Sequence, residues 1–358
     1  MFTRFVSLLV LTTAPLLCAD WNPRLAADYL DARQKAWFAW PAANASGVVC
    51  VSCHTGMPYL LARPALRRAL GESSPTLYEK GLLNGMKARV AKTDLKELYP
   101  KSKGPHASEA LGVEAIFSAL FLAVEDAQRD KLSADAERAF ERMWSLQIPT
   151  GKAAGAWDWN SYDLDPWETP ESTFYGAALA ALATGMAPGD YQGRPEIRQN
   201  VAALTTYLRN EQSSQPLHNR LILLWASTKL RGLLTDTKRA ALLDEVWGKQ
   251  QADGGWTLES LGAWKKRPEA PSSSGSNGYA TGLVAFAVQQ AAVGRANPRL
   301  VRALDWLRGH QDHQIGDWPA NSMNTQREPY SMPAQFMQDA ATGFATLALL
   351  EAGWAGTE

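Results

Sequence analysis

Five stretches of small apolar residues recur along the chain, each with a glycine near its start: Gly56, Gly112, Gly176, Gly282 and Gly343. Each is apolar on all sides, which predicts a helix surrounded by protein rather than one lying on a surface. A sixth stretch, residues 219–230, fills the gap between the third and fourth and carries Leu221, Leu224 and Trp225 at helical spacing. More polar segments run between them, among them 75–98, 134–146 and 238–247. Six inner helices, each paired with a more polar outer one, predict an all-α fold, an (α/α)6 toroid of about six helical hairpins. The glycines serve close helix approach, because no Cβ stands between the backbones. Three long loops, 158–172, 267–277 and 318–335, precede inner helices at equivalent points and are expected on one face.

A second pattern has the same period. Trp306-Leu307 is followed by Gln311 and then by Gly316-Asp317-Trp318, and parts of this unit recur. Tyr207-Leu208 leads to Gln212 at the same spacing, and Tyr29-Leu30 leads to Gln34. Gln250 to Trp256 reads Gln-Gln-Ala-Asp-Gly-Gly-Trp, and Gln147 with Gly155-Ala156-Trp157 is a looser copy. Repetition on this scale means stacked helical hairpins.

On these residues the chain resembles the prenyltransferase and squalene-oxidase repeat family, the α/α toroid of the terpenoid cyclases, whose QW motif is written QxxDGGW. The resemblance covers most of residues 20–358 and is strongest at 250–256 and 311–318. It implies a structural task for these residues: the Gln ties down exposed backbone at a helix end, and the Trp stacks on the neighbouring repeat. It does not carry cyclase activity over. The nearest approach to the DxDD acid of the protonating cyclases is Asp163-Leu164-Asp165-Pro166, which lacks the final Asp, and a DDxxD is absent. A shared fold alone does not license a function.

The chemistry-bearing motif is Cys50-Val51-Ser52-Cys53-His54. Two thiols at this spacing can each add to a haem vinyl group, and the adjacent histidine then binds iron as the proximal ligand. The reading is one covalent haem c held by Cys50, Cys53 and His54. A zinc site would require two further Cys or His at motif spacing, and the other histidines are scattered singly. A disulfide or a redox dithiol between the two cysteines stays open as the competing reading.

The third cysteine, Cys18, ends an N-terminal segment with Arg4 and an apolar run over residues 5–17, followed by Ala19. These features predict a secretory signal peptide over 1–19, leaving a single domain over 20–358. The run is too short to span a bilayer, so no stable transmembrane anchor is expected. A lipid on Cys18 is disfavoured by the large Leu17 before it. Export to the periplasm or beyond suits haem attachment and equally permits a disulfide. Lys+Arg and Asp+Glu are equal at 36 each, so no basic surplus points to nucleic acid.

Aligning the inner helices on their glycines sets Cys50 level with His106, Pro170, Ser276 and Met337, and puts the motif in the first turn of its helix at the mouth of the central cavity. His106 and Met337 are thus the candidate distal iron ligands, with a five-coordinate iron as the alternative. His218, His310 and His313 are further candidates; Met57 is too near His54 to reach the opposite haem face. Arg63 and Glu114 stand in apolar helices, which predicts a buried ion pair or a cavity-facing role, Arg63 being a candidate propionate partner. Asp158, Asp163, Asp165, Glu168 and Glu171 crowd a loop with Trp157, Trp159, Tyr162 and Trp167, a composition suited to acid–base work on a sugar or to a solvated turn. Electron transfer or haem redox chemistry leads, with a redox partner protein or a small molecule in the cavity as partner. A toroid enzyme acting on a glycan or isoprenoid through Asp158, Asp163, Asp165 and Glu168, and a non-catalytic binding module, are the alternatives.

Overall fold

The computed structural model describes residues 20–45, 47–99, 104–127, 129–271 and 275–354. The predicted signal peptide, with Cys18, lies outside them. The described residues are all-α, with twelve α-helices. In chain order these are α1 (Pro23–Ala39), α2 (Gly56–Ala69), α3 (Leu77–Val90), α4 (Pro105–Asp126), α5 (Ala134–Ser145), α6 (Ser172–Met186), α7 (Arg198–Glu211), α8 (Leu217–Ala226), α9 (Asp236–Gly248), α10 (Gly278–Gln290), α11 (Pro298–Arg308) and α12 (Phe336–Glu351). The even-numbered helices are the six apolar stretches. From Gly112 to Ala123 every residue of α4 is buried, whereas α7 buries only Leu204, Tyr207 and Leu208. α4 is long and apolar enough to cross a membrane, but most of it is enclosed by its neighbours, as in a core helix.

Packing follows this alternation. α4 packs on α6, α6 on α8, α8 on α10, α10 on α12, and α12 on α2. α3 packs against both α2 and α4. Two of the five glycines serve close helix approach as expected: a Cβ on Gly282 of α10 would stand 2.6 Å from the Ala345 nitrogen of α12, and one on Gly343 of α12 would stand 2.5 Å from Pro58 Cβ of α2; Gly56, Gly112 and Gly176 instead make room for Val51, Asp158 and Trp159, which lie outside the helices.

The repeated Gln and Trp tie the hairpins together. Gln250 Nε2 donates to the carbonyls of Gly254 and of Arg299, at the start of α11. Gln147 does the same to Gly155 and to Asn200 in α7. Gln311 accepts from the Asn22 amide at 2.6 Å and donates to the Asn22 and Gly316 carbonyls, so it joins the last repeat to the first helix across 289 residues. The tryptophans Trp157, Trp256 and Trp318 donate to the carbonyls of Met143, Val246 and Leu307, satisfying C-terminal groups of α5, α9 and α11.

One small sheet interrupts the helices. The strands β1 (Asn44–Ala45) and β2 (Val48–Val49) pair antiparallel, and β2 leads directly into Cys50, whose amide donates to Ala43.

Candidate functional site

The Cys50–His54 motif is not helical. Residues 53–55 form a turn, and α2 begins only at Gly56. The Ser52 hydroxyl accepts from the amides of Thr55 and Gly56, 3.0 Å each, capping α2 from just outside it. The expectation that the motif forms the first turn of α2 is therefore corrected by one turn. Its consequence reaches the thiols: Cys50 lines a void of about 30 Å³ beside Arg89, Tyr99 and Glu114, while Cys53 is buried. Neither is joined in a disulfide.

His54 sits in a network that a linear reading cannot assemble. Its Nδ1 lies 3.0 Å from Thr55 Oγ1, which lies 2.6 Å from Asp339 Oδ2. Asp339 is buried in α12 and also takes hydrogen bonds from Arg33 Nε (2.6 Å) and Tyr29 OH (3.0 Å) of α1. Gln34 Nε2 holds the Thr55 carbonyl at 2.9 Å. The hydroxyl of Thr55 has one proton, directed to the Asp339 carboxylate, so its contact with His54 is that of an acceptor. His54 then carries its proton on Nδ1, and Nε2 has the free lone pair. Burial and the nearby Arg33 hold the ring's pKa down at about 3, which keeps the imidazole neutral. A neutral imidazole with its second nitrogen anchored is the form a metal-binding histidine takes.

The cavity beside His54, about 90 Å³, is lined by Trp167 and Glu168 of the first long loop, Arg327 of the third, and Phe336 and Met337 at the start of α12. Phe336 stacks on the His54 ring at 3.5 Å between centroids. All three long loops meet here: Arg267 of the second pairs with Asp163, and Asn324 of the third exchanges hydrogen bonds with the Asp165 backbone. Glu168 is buried enough to push its pKa up to about 7. Behind this layer the interior is filled. Trp167 Nε1 donates to Tyr279 OH at 3.0 Å, and Tyr279 OH lies 2.7 Å from His218 Nε2. Tyr175 stacks on His218 and its hydroxyl reaches Met57.

Among the predicted site residues, His54, Met337, Asp165 and Glu168 line one cavity. His106 does not join them. Its Nδ1 is 2.9 Å from Glu109, its ring stacks on Tyr162, and its side chain is 47% exposed. The alignment on glycines equated a helical residue of α4, which starts seven residues before Gly112, with a Cys50 that precedes α2 altogether. Asp158 is exposed. Asp163 is held by Lys265 and Arg267, which lower its pKa. His218 has both ring nitrogens engaged, by Asn219 and Tyr279, and His310 bonds to and stacks on Trp306. Arg63 and Glu114 do not pair with each other: Arg63 binds Asp31 and Glu72, while Glu114 takes Arg89 and, at 3.7 Å, Arg142. The partners Asp339, Arg33 and Arg327 went unnoticed in the sequence. Asp339 had a usable signal, a carboxylate inside an apolar helix.

The residues present meet the chemical demand of a covalent haem, two cysteines outside any disulfide and a neutral, oriented imidazole. The enclosed space beside His54 does not hold the ring, being far below the roughly 300–1,000 Å³ of pockets that enclose small molecules. Among the described residues no three His, Cys, Asp or Glu side chains converge on a point where they would hold a bare metal ion.

A separate open groove of about 870 Å³ runs along the same face. Asp163, Asp165, Glu171, Trp264 and Lys265 are among its lining residues, as are Arg220 and Glu245, which form a two-point ion pair. Comparison with known proteins returned no matching family model and no match among curated sequences.

Proposed function

We propose that the chain is an exported c-type monohaem protein built on an α/α toroid of six hairpins, acting in electron transfer or haem-based redox chemistry at the rim that carries the three long loops. The observation that carries this reading is the His54–Thr55–Asp339 chain, which leaves Nε2 unprotonated on a neutral ring. Cys50 and Cys53 are the attachment thiols and His54 the proximal ligand; bound haem supplies the one-electron couple. Met337 is the better distal candidate, because it lines the same cavity as His54 and His106 does not. Thr55, Asp339 and Arg33 fix the imidazole from behind, and Arg327 is the cation nearest to hand for an acidic substituent of the ring.

The toroid is supported by the alternation of buried and polar helices and by the Gln311 link from the last repeat to α1. A pyridine haemochrome spectrum of protein made together with the haem-attachment machinery tests the haem. The expected result is a c-type spectrum and an intact mass increased by one haem, both lost in Cys50→Ser with Cys53→Ser. Protein of unmodified mass with no Soret band would overturn the proposal.

The open groove supports the second reading, an enzyme or binding module for a polar ligand such as a glycan. Its carboxylates at Asp163, Asp165 and Glu171 face a tryptophan across a space of suitable size. Loss of glycan turnover in Asp163→Asn with Asp165→Asn would favour it over the haem protein, and unchanged turnover would remove it.

A further inference from the structure

At the opposite end of the inner helices from His54 lies an apolar cavity of about 440 Å³ to which all six contribute. Leu60 of α2, Val124 of α4, Met186 of α6, Trp225 of α8, Phe286 of α10 and Leu347 of α12 form its walls. Its size falls within the roughly 300–1,000 Å³ of small-molecule pockets. The space is open on one side, and its mainly apolar lining favours an apolar ligand body. Its charged lining residues are Arg68, Lys229 and Glu351, of which Arg68 and Glu351 are exposed and Lys229 is half-buried. Neither cation has a carboxylate within ion-pair distance among the described residues, so the rim side chains leave one positive charge in excess.

We infer that this cavity binds a single-chain amphiphile with an anionic, hydrogen-bond-accepting head, of the fatty-acid class. The acyl chain lies along the apolar walls, and the carboxylate takes the donors that Arg68 and Lys229 offer. This site is independent of the haem: it lies beyond the Tyr175, His218 and Tyr279 layer that fills the interior behind His54. The apolar walls give affinity and the rim gives head-group choice, because a long-stemmed cation at a pocket edge discriminates charge more than it adds area.

Calorimetric titration of the full chain with dodecanoate, below its micellisation concentration, tests the inference. Dodecanol and dodecyltrimethylammonium serve as neutral and cationic controls. One dodecanoate per chain is expected, bound at least tenfold more tightly than the ammonium compound. Ala65→Trp, which fills the cavity, should abolish binding. Arg68→Glu with Lys229→Glu changes only rim residues and should reverse the head-group preference while leaving dodecanol unchanged. Absence of a saturable one-to-one site, equal affinity for all three head groups, or a preference that survives the rim substitutions would overturn the assignment.

Discussion

Glu168 offers the sharpest test of how the rim is packed. Burial raises its pKa from the ordinary 4.5 to about 7. Between those values the folded protein keeps a proton that the unfolded chain has released, so folding is favoured at low pH and that advantage fades as pH rises toward 7. Above pH 7 both states are ionised, and the folded one carries a carboxylate in a place that resists charge. A shift of this size, at about 1.4 kcal/mol per pKa unit, amounts to about 3 kcal/mol of instability in alkaline solution. Glu168→Gln keeps the shape and removes the ionisation. It should match the parent at pH 4.5 and exceed it by up to about 3 kcal/mol at pH 8.5. Urea unfolding followed by far-ultraviolet circular dichroism measures both, with the other titrating groups common to the two proteins. If the difference between the variants is the same at the two pH values, Glu168 ionises freely in the folded protein and the closed rim described here is wrong.

Other substitutions probe separate parts of the argument. Thr55→Val removes the acceptor for His54 Nδ1–H; ¹⁵N shifts of the haem-free ring should move from the Nδ1–H tautomer toward a mixture, and an unchanged tautomer would show that Thr55 does not set it. Gly282→Ala drives a methyl into the α12 backbone and should cost about 1–3 kcal/mol, read as a lowered melting temperature; an unaltered melt would contradict the close approach of α10 and α12. Gln311→Leu strands the Asn22 amide and the Gly316 carbonyl, while the Asn22 carbonyl keeps the Ala26 amide, at about 1–3 kcal/mol for each group left buried and unpaired; hydrogen exchange should rise first at the start of α1, and uniform exchange across the chain would deny the link its local role.

What the sequence by itself determined is the inventory of helices and the joints between them. Apolar stretches such as 112–123 are buried on every side whatever their neighbours, and the repeated Gln and Trp, apart from Gln311 with its reach back to Asn22, act within a single hairpin or its successor, so local periodicity suffices to read them. The CxxCH motif is legible for the same reason, being written in five consecutive residues. The tertiary structure alone decided what those residues face. The turn at 53–55 sends Cys50 toward Arg89 and Glu114. The proton position on His54 depends on Asp339, whose carboxylate lies 284 residues from Thr55 in sequence and 2.6 Å from its hydroxyl in space. The pairing of Arg63 with Asp31 and Glu72, rather than with Glu114, and the exclusion of His106 from the His54 cavity follow from which helices become neighbours and where each one starts. A hydrogen bond or an ion pair acts over a few ångströms of space, and in a chain packed as twelve described helices that distance bears no fixed relation to separation along the sequence.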